Sequence, residues 1–558
     1  MKRLIICAMA VMAITTAMAK SKTPAVPQVE RWGTYEVSLT APVPEGKNPF
    51  DVRLKATFCL TSAQAGRDGD SLTVDGFYDG GDQWKVRFMP SHEGAWSYFV
   101  HSELEALNQQ GTFQCVAPSV GNHGPVQVDS TGLNFCYADG SRYWCIGTTS
   151  YDWMHASSDP SVIMADPGLT MQQQTLKSLS ETGFTKIRSL LLPQNFEATY
   201  PEPEVFPFER KSDGGWDWTR PNPRYFDHVE ACTKGLMQLG IEQDLILFHP
   251  YDGGRWGFDA MPIEAGERLC RYVAARMSSF RNVWWSLANE YDLVKAQPKE
   301  AWDAWTDAIT QADPYHHLVS IHSYTAQYYS YWDNRYTHCS VQDQAPVEDF
   351  GRAAIVRNIY RKPVVFDEVL YEGNLDVRWG NLSGEEELFR MWQALIAGTY
   401  CSHSECYLLG DEKRFRYNFL AVGGRFYGTM AARTKFMKQV LDDLPMPMYL
   451  ADSSWDPRTS AAGPGYFMVY LGKDVLQEWR FNLPCRNGRT PAYRRIQEGD
   501  KFEVEIIDTW NMTIEKYPVI FEARKQDNYR MIDVQNRAVR LPERPYLLLR
   551  IRQIDSSL

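Results

Sequence analysis

Several catalytic signatures are missing from the sequence, and each absence removes a class of chemistry. No Gly-x-Ser-x-Gly elbow occurs in the 558 residues, so no strand-to-helix turn presents a serine nucleophile in the manner of an α/β-hydrolase. No glycine-rich run is joined to a lysine. Gly253-Gly254, between His249 and Trp256, is a flexible loop without a phosphate cradle, which sets nucleotide chemistry aside. The H-E-x-x-H pair of hydrolytic zinc sites is absent and His316-His317 is only an adjacent pair, so neither a catalytic metal nor any other cofactor is expected. The 11 cysteines include no Cys-x-x-Cys; most read as small core residues, with Cys401 and Cys406 the pair to check for a disulfide. Basic runs are also lacking. A formal charge of −11 without them argues against nucleic acid or polyanionic partners.

Long apolar stretches are nearly absent. At the N-terminus, Lys2 and Arg3 precede an apolar segment that closes on Ala17-Met18-Ala19, which predicts a signal peptide over residues 1–19 and export to the periplasm or beyond. Cys7 lies at the start of that segment, the wrong end for a lipidated cysteine. Cleavage removes two basic residues and no acidic one, so 56 (58 − 2) basic residues face 69 acidic ones and the charge becomes −13. No later run approaches the roughly 18 apolar residues of a membrane span.

What the chain does have is length and aromatic rings. Single cores rarely grow beyond about 250–300 residues, so 558 predict more than one domain. The aromatic fraction of 13%, with 18 Trp and 30 Tyr, is high; flat rings suit sugar-binding clefts and β-rich cores alike.

Three grains of patterning divide the chain. Residues 28–120 alternate apolar and polar positions in short runs, such as Tyr35 to Leu39 and Trp84 to Phe88, separated by turn clusters such as Asp79-Gly80-Gly81-Asp82. This is the pattern of an antiparallel β-sandwich. Over 124–445 apolar strands alternate with helical stretches: a helix from Met171 stopped by Gly183, another near 225–239 stopped by Gly240, a third near 263–279. Eight strand–helix units in about 300 residues predict an α/β fold of the (β/α)8 TIM-barrel type. Residues 446–558 return to alternation, as in Tyr466 to Leu471, and predict a second β-sandwich.

In such barrels the chemistry sits at the carboxyl ends of the strands. Polar groups close every predicted strand: Tyr151 and Trp153 after the first, Arg188 on the second, His249, Tyr251 and Trp256 after the third, Asn289-Glu290 after the fourth. His322 follows the fifth, Gln342-Asp343 the sixth, Asp367-Glu368 the seventh and His403 with Glu405 the eighth. Glu290 and Glu368, on strands four and seven, face one another across the mouth. Two facing carboxylates are the minimal machinery for glycosidic bond cleavage, one protonating the leaving oxygen while the other attacks or activates water. Regular alternation would send Asp367 to the face opposite Glu368. Trp284 and Trp285 could raise the Glu290 pKa as an apolar wall, or point into the barrel wall instead. Tyr151, Trp153, Tyr251 and Trp256 could stack on sugar rings, and His249, His322, His403 and Glu405 could bond sugar hydroxyls; loop packing is the alternative for each aromatic.

The barrel with Asn289-Glu290 after strand four and Glu368 after strand seven resembles the clan A glycoside hydrolases. That resemblance implies a retaining mechanism, with Glu290 as acid/base, Glu368 as nucleophile, Asn289 holding a substrate hydroxyl and Arg188 supporting Glu368. From residue 28 onward the chain is also similar to a group of glycoside hydrolases with an N-terminal β-sandwich, a barrel and a C-terminal β-domain. Gly76-Phe77-Tyr78-Asp79-Gly80, Val86 to Pro90, Gly147 to Tyr151 and Ile507 to Met512 carry that similarity. It implies a carbohydrate substrate and leaves the sugar open. The alternative from another class is a catalytically silent glycan-binding protein of a polysaccharide-uptake system.

Overall fold

The short apolar runs of the central segment assemble side by side into one parallel sheet. In the computed structural model, which describes residues 26–61, 71–155, 164–195, 202–324, 331–343, 350–409, 418–452, 456–485 and 496–554, its strands are β1 (Ile146–Thr149), β2 (Lys186–Leu190), β3 (Glu242–Phe248), β4 (Val283–Ala288), β5 (Val319–Ser320), β6 (Cys339–Gln342), β7 (Val364–Glu368) and β8 (Tyr400–His403). The expected leader, residues 1–19, lies outside the described residues. The sheet runs β5-β4-β3-β2-β1-β8-β7-β6, and a parallel bridge between His322 and Ser340 joins its two ends, so the sheet is a closed barrel.

Helices α1 (Met171–Ser180), α2 (Pro223–Gln238), α3 (Ile263–Met277), α4 (Lys299–Ala312), α5 (Phe350–Tyr360) and α6 (Gly384–Ile396) cover the barrel, followed by the short α7 (Phe419–Val422) and by α8 (Thr434–Asp442). The α1 start is set by a capping box: Thr170 accepts from the Gln173 backbone while the Gln173 side chain returns to the Thr170 N–H. Expectation and structure differ in one unit. Among the described residues no helix joins β5 to β6, so six of the seven crossovers between strands carry helices there.

The barrel interior is ionic at mid-height. Lys186 and Arg188 are two apart on β2 and therefore point the same way, inward. Lys186 Nζ lies 2.8 Å from Asp244 and 2.6 Å from Asp367, and the hydroxyls of Ser340 and Ser402 donate to Asp367. All of these charged side chains are fully buried, so each depends on its partner for solvation.

The N-terminal domain is one seven-stranded sheet folded back on itself, in the order Gln28–Glu30, Gln109–Val116, Gly94–Ser102, Leu54–Leu60, Ser71–Tyr78, Gln83–Phe88, Tyr35–Thr40. Tyr35 and Phe113, far apart in that order, stack at 3.9 Å across the core, which is what makes the sheet a sandwich. The expected antiparallel pairing holds except at the edge, where Gln28–Glu30 runs parallel to its neighbour. The C-terminal domain is a nine-stranded antiparallel sheet around Phe467, Phe481, Phe502 and Phe521. All ten described cysteines are free, Cys401 and Cys406 included.

Candidate active site

At the carboxyl end of the barrel, Asn289 is the pivot of a hydrogen-bonded constellation. It follows β4 and is fully buried. Arg188 Nη2 donates to its Oδ1 at 2.6 Å, and its Nδ2 donates to the phenols of Tyr251 (2.6 Å) and Tyr151 (3.2 Å). Only an oxygen can face a guanidinium as acceptor, so the amide orientation is dictated by its neighbours. Each phenol passes its own proton on: Tyr251 donates to Glu290 Oε2 at 2.7 Å and Tyr151 to Glu368 Oε1 at 2.6 Å. Glu290 and Glu368 are thus joined through two tyrosines and one asparagine contributed by β1, β3 and β4.

Backbone irregularity aims both glutamates. Glu290 sits in the left-handed region, with φ 45° and ψ 50°, a conformation that costs energy for a residue with a Cβ and is held here by its surroundings. On β7 the register slips: Val341 pairs with Phe366, but Gln342 pairs with Glu368. Such a bulge breaks the alternation of faces. The expectation that Asp367 would face away from Glu368 therefore fails, since Arg188 Nε lies 3.9 Å from Asp367 and its Nη1 lies 3.3 Å from Glu368.

The two carboxyl groups have different environments. Burial raises the Glu290 pKa to about 7, the negative charge of Glu368 adds to this, and bonds from Tyr251 and Gln342 hold it back. Glu368 instead accepts from Tyr151 and from the Arg188 guanidinium, an ionic partner. Burial and the Arg188 charge push His322 well below the usual histidine range, so it stands neutral. Its Nδ1 accepts from the Glu290 backbone at 3.5 Å and its Nε2 lies 4.0 Å from Glu368. The tryptophans do not form the wall. Trp284 donates to Glu242 and Trp285 to Asp313, each within the barrel wall.

Other expected residues are placed differently. Both ring nitrogens of His249 are used on backbone, Nε2 with the Leu192 carbonyl and Nδ1 with the Tyr251 N–H, and its ring stacks on Tyr251. It positions that tyrosine. Trp153 is fully buried in the barrel core. Trp256 donates to Glu202 and packs with Phe206 and Phe258. His403 and Glu405 share no hydrogen bond with the Glu290–Glu368 constellation among the described residues; both are buried beside Glu372.

Two residues beyond the expected set belong to the site. Gln342, at the end of β6, bonds Glu290; its strand-end position was the signal for it. Tyr371 carries none. The left-handed turn at Leu370 (φ 72°) follows β7, and the buried Tyr371 phenol, within electrostatic reach of Glu368, has no hydrogen-bond partner.

Known proteins bear on this arrangement. Residues 28–103 match a domain of unknown function (DUF5060), residues 130–404 an apiosidase-like catalytic domain, and residues 455–552 a second domain of unknown function (DUF5605). No curated protein matches. A crystal structure of a "putative glycoside hydrolase" from Bacteroides vulgatus ATCC 8482 is 43% identical, with a TM-score of 0.86 over 95% of this chain and 100% of that one. A glycoside hydrolase family 5 structure from the same organism is 14% identical, with a TM-score of 0.53 over 78% of this chain and 94% of that one, a likeness of fold alone. With two buried carboxyl groups joined at the barrel mouth and 43% identity along the whole of that first relative, the chain belongs to the same family of glycoside hydrolases, built on an apiosidase-like catalytic domain.

Proposed function

We propose that the protein is an exported glycoside hydrolase that cleaves an oligo- or polysaccharide with retention of configuration, Glu290 serving as acid/base and Glu368 as nucleophile. One observation carries the reading. Two buried carboxyl groups at one hydrogen-bonded site differ in environment, Glu290 raised to about 7 by burial and by its neighbour, Glu368 paired with Arg188. An acid that holds its proton near neutrality beside an ionised carboxylate is what double displacement requires.

In the first step Glu290 protonates the glycosidic oxygen while Glu368 attacks the anomeric carbon, and the bond to the leaving group breaks as the glycosyl–Glu368 ester forms. In the second, Glu290 takes a proton from water, which displaces Glu368 and restores both groups. Arg188 and Tyr151 hold the Glu368 oxygen in place for attack. Tyr251 and Gln342 do the same for Glu290.

Hydrolysis of a glycoside panel that includes an apioside, the activity named in the family description, tests this. Glu290→Gln and Glu368→Gln each reduce kcat/KM by at least about 10²-fold, and NMR of the first-formed product shows the starting anomeric configuration. In the parent enzyme kcat/KM falls as pH rises through about 7, where Glu290 loses the proton it must donate. Undiminished cleavage by both variants, or an inverted first product, overturns the assignment; a parent that binds glycans and cleaves none is a binding protein.

A further inference from the structure

Away from the two glutamates, β8 continues into Glu405-Cys406, which pairs in parallel with Glu372-Gly373 of the chain after β7. Glu372 and Glu405 are register partners there. Both are fully buried. A third buried carboxyl group, Glu387 of α6, lies close enough to feel the Glu372 charge. One ligand-type atom from each of Glu372, His403 and Glu405 lies within 4.8 Å of the others.

Three details show that this cluster is more than a group of acids. His403, fully buried and stacked on Phe184, carries an Nε2 with no hydrogen-bond partner, 3.9 Å from Glu372 Oε2. Glu387 Oε2 is likewise buried and unpartnered. At Gly428 a Cβ would stand 2.4 Å from Glu405 Oε2 and 2.5 Å from Glu372 Oε2, so glycine keeps open the space between the two oxygens. The remaining bonds hold the oxygens in place: Tyr427 and Gly428 N–H groups donate to Glu405, and Thr429 and Met430 N–H groups to Glu372.

We propose that Glu372, His403 and Glu405 bind one structural transition-metal dication of the zinc(II) or manganese(II) kind, which ties the 427–430 loop to the ends of β7 and β8. One imidazole nitrogen with two carboxylate oxygens is a mixed donor set that suits these ions, whereas calcium and magnesium take oxygen alone. Ligand atoms around zinc stand about 3.4 Å apart for bonds of about 2.0–2.1 Å, so the 3.9 Å between His403 and Glu372 has only to close slightly.

The test uses full-length protein, stripped with a chelator and dialysed against zinc(II), manganese(II) or calcium(II) singly. One equivalent of zinc or manganese per chain binds and raises Tm, and Glu405→Gln loses at least ten-fold in affinity for it. Anomalous scattering from a zinc-soaked crystal of unmodified protein places the ion against His403 Nε2 and needs no variant to fold. No ion bound, an ion bound equally by Glu405→Gln, an anomalous peak elsewhere, or binding of calcium alone each overturns the proposal.

Discussion

An asparagine that bonds an arginine and two tyrosines sets the side chains around it before any sugar arrives. Asn289, to which the resemblance gives a substrate hydroxyl, also sets both phenols and through them both carboxyl groups. The strand-end rule made Glu290, Glu368, Arg188, Tyr151 and Tyr251 legible in sequence, because each closes an apolar run. It could not reveal how they are aimed. The bulge at Asp367 and the left-handed Glu290 are departures from regular geometry, and neither residue type signals one. The environment of Glu290 also has a thermodynamic consequence. The folded chain keeps its proton up to about 7, while the free carboxyl releases it near 4.5. Between those values the folded state binds more protons than the unfolded, so stability falls as pH rises. Glu290→Gln has no such proton to lose. Relative to the parent it gains on the order of 2–3 kcal/mol between pH 5 and pH 8. Urea midpoints at the two pH values check this, and an unchanged difference counts against a raised pKa.

Among elements, helix boundaries were the most legible feature and barrel details the least. The expected helix near 263–279 is α3, Ile263–Met277, and the fourth strand expected before Asn289-Glu290 is β4, Val283–Ala288. The apolar spacing and Gly stops that mark such segments are local signals. That no helix stands between β5 and β6 among the described residues has no local counterpart, since that apolar run reads like the others. Nor does the charged barrel interior: Lys186, Asp244 and Asp367 come from three strands, and a lone charge in an apolar strand looks like an error until its partners are found. Close helix contacts are hidden in the same way. Gly266 on α3 gives no sequence hint of its role, yet a Cβ there would lie 2.3 Å from the Trp305 indole Nε1 of α4. That indole donates to the Ile263 carbonyl, so it cannot move without losing that bond. Overpacking of this kind costs about 1–3 kcal/mol, more than alanine's better helix propensity returns. Gly266→Ala is therefore expected to lower the urea midpoint with an unchanged m-value, and a stabilised variant would show that the two helices can separate freely.

The two flanking domains are joined to the barrel by different forces. On the C-terminal side Met468, Tyr470, Ile507 and Leu548 enter the barrel's own apolar core, with Tyr470 set against Phe389 and Trp392 of α6. On the N-terminal side the sandwich keeps a core of its own, sends Phe77 and the edge of Phe50 against the barrel's, and adds a buried ionic joint. Arg87 of the sandwich donates to Glu230 of α2 at 2.8 Å and to the Arg276 carbonyl of α3 at 2.7 Å. Arg276 in turn reaches Glu230 at 2.6 Å and Asp79 of the sandwich at 2.8 Å. Arg87, Arg276 and Glu230 are all buried, with the Phe77 ring beneath both guanidiniums. Burial raises the Glu230 pKa, but Arg276 and Arg87 outweigh it and hold the carboxyl below its usual range. The stabilisation from this joint is therefore present above the usual glutamate pKa and lost as pH falls through the lowered value. Replacing one member leaves its partner buried and less compensated, which costs about 3–5 kcal/mol for such a group. Arg87→Met keeps the bulk of the side chain and removes its charge. Calorimetry at neutral pH should then resolve a low-temperature transition of the sandwich ahead of a barrel transition shared with the C-terminal domain, because the apolar joint is untouched. A single endotherm at the parent temperature would mean that the ionic joint adds nothing to the coupling of the sandwich to the barrel.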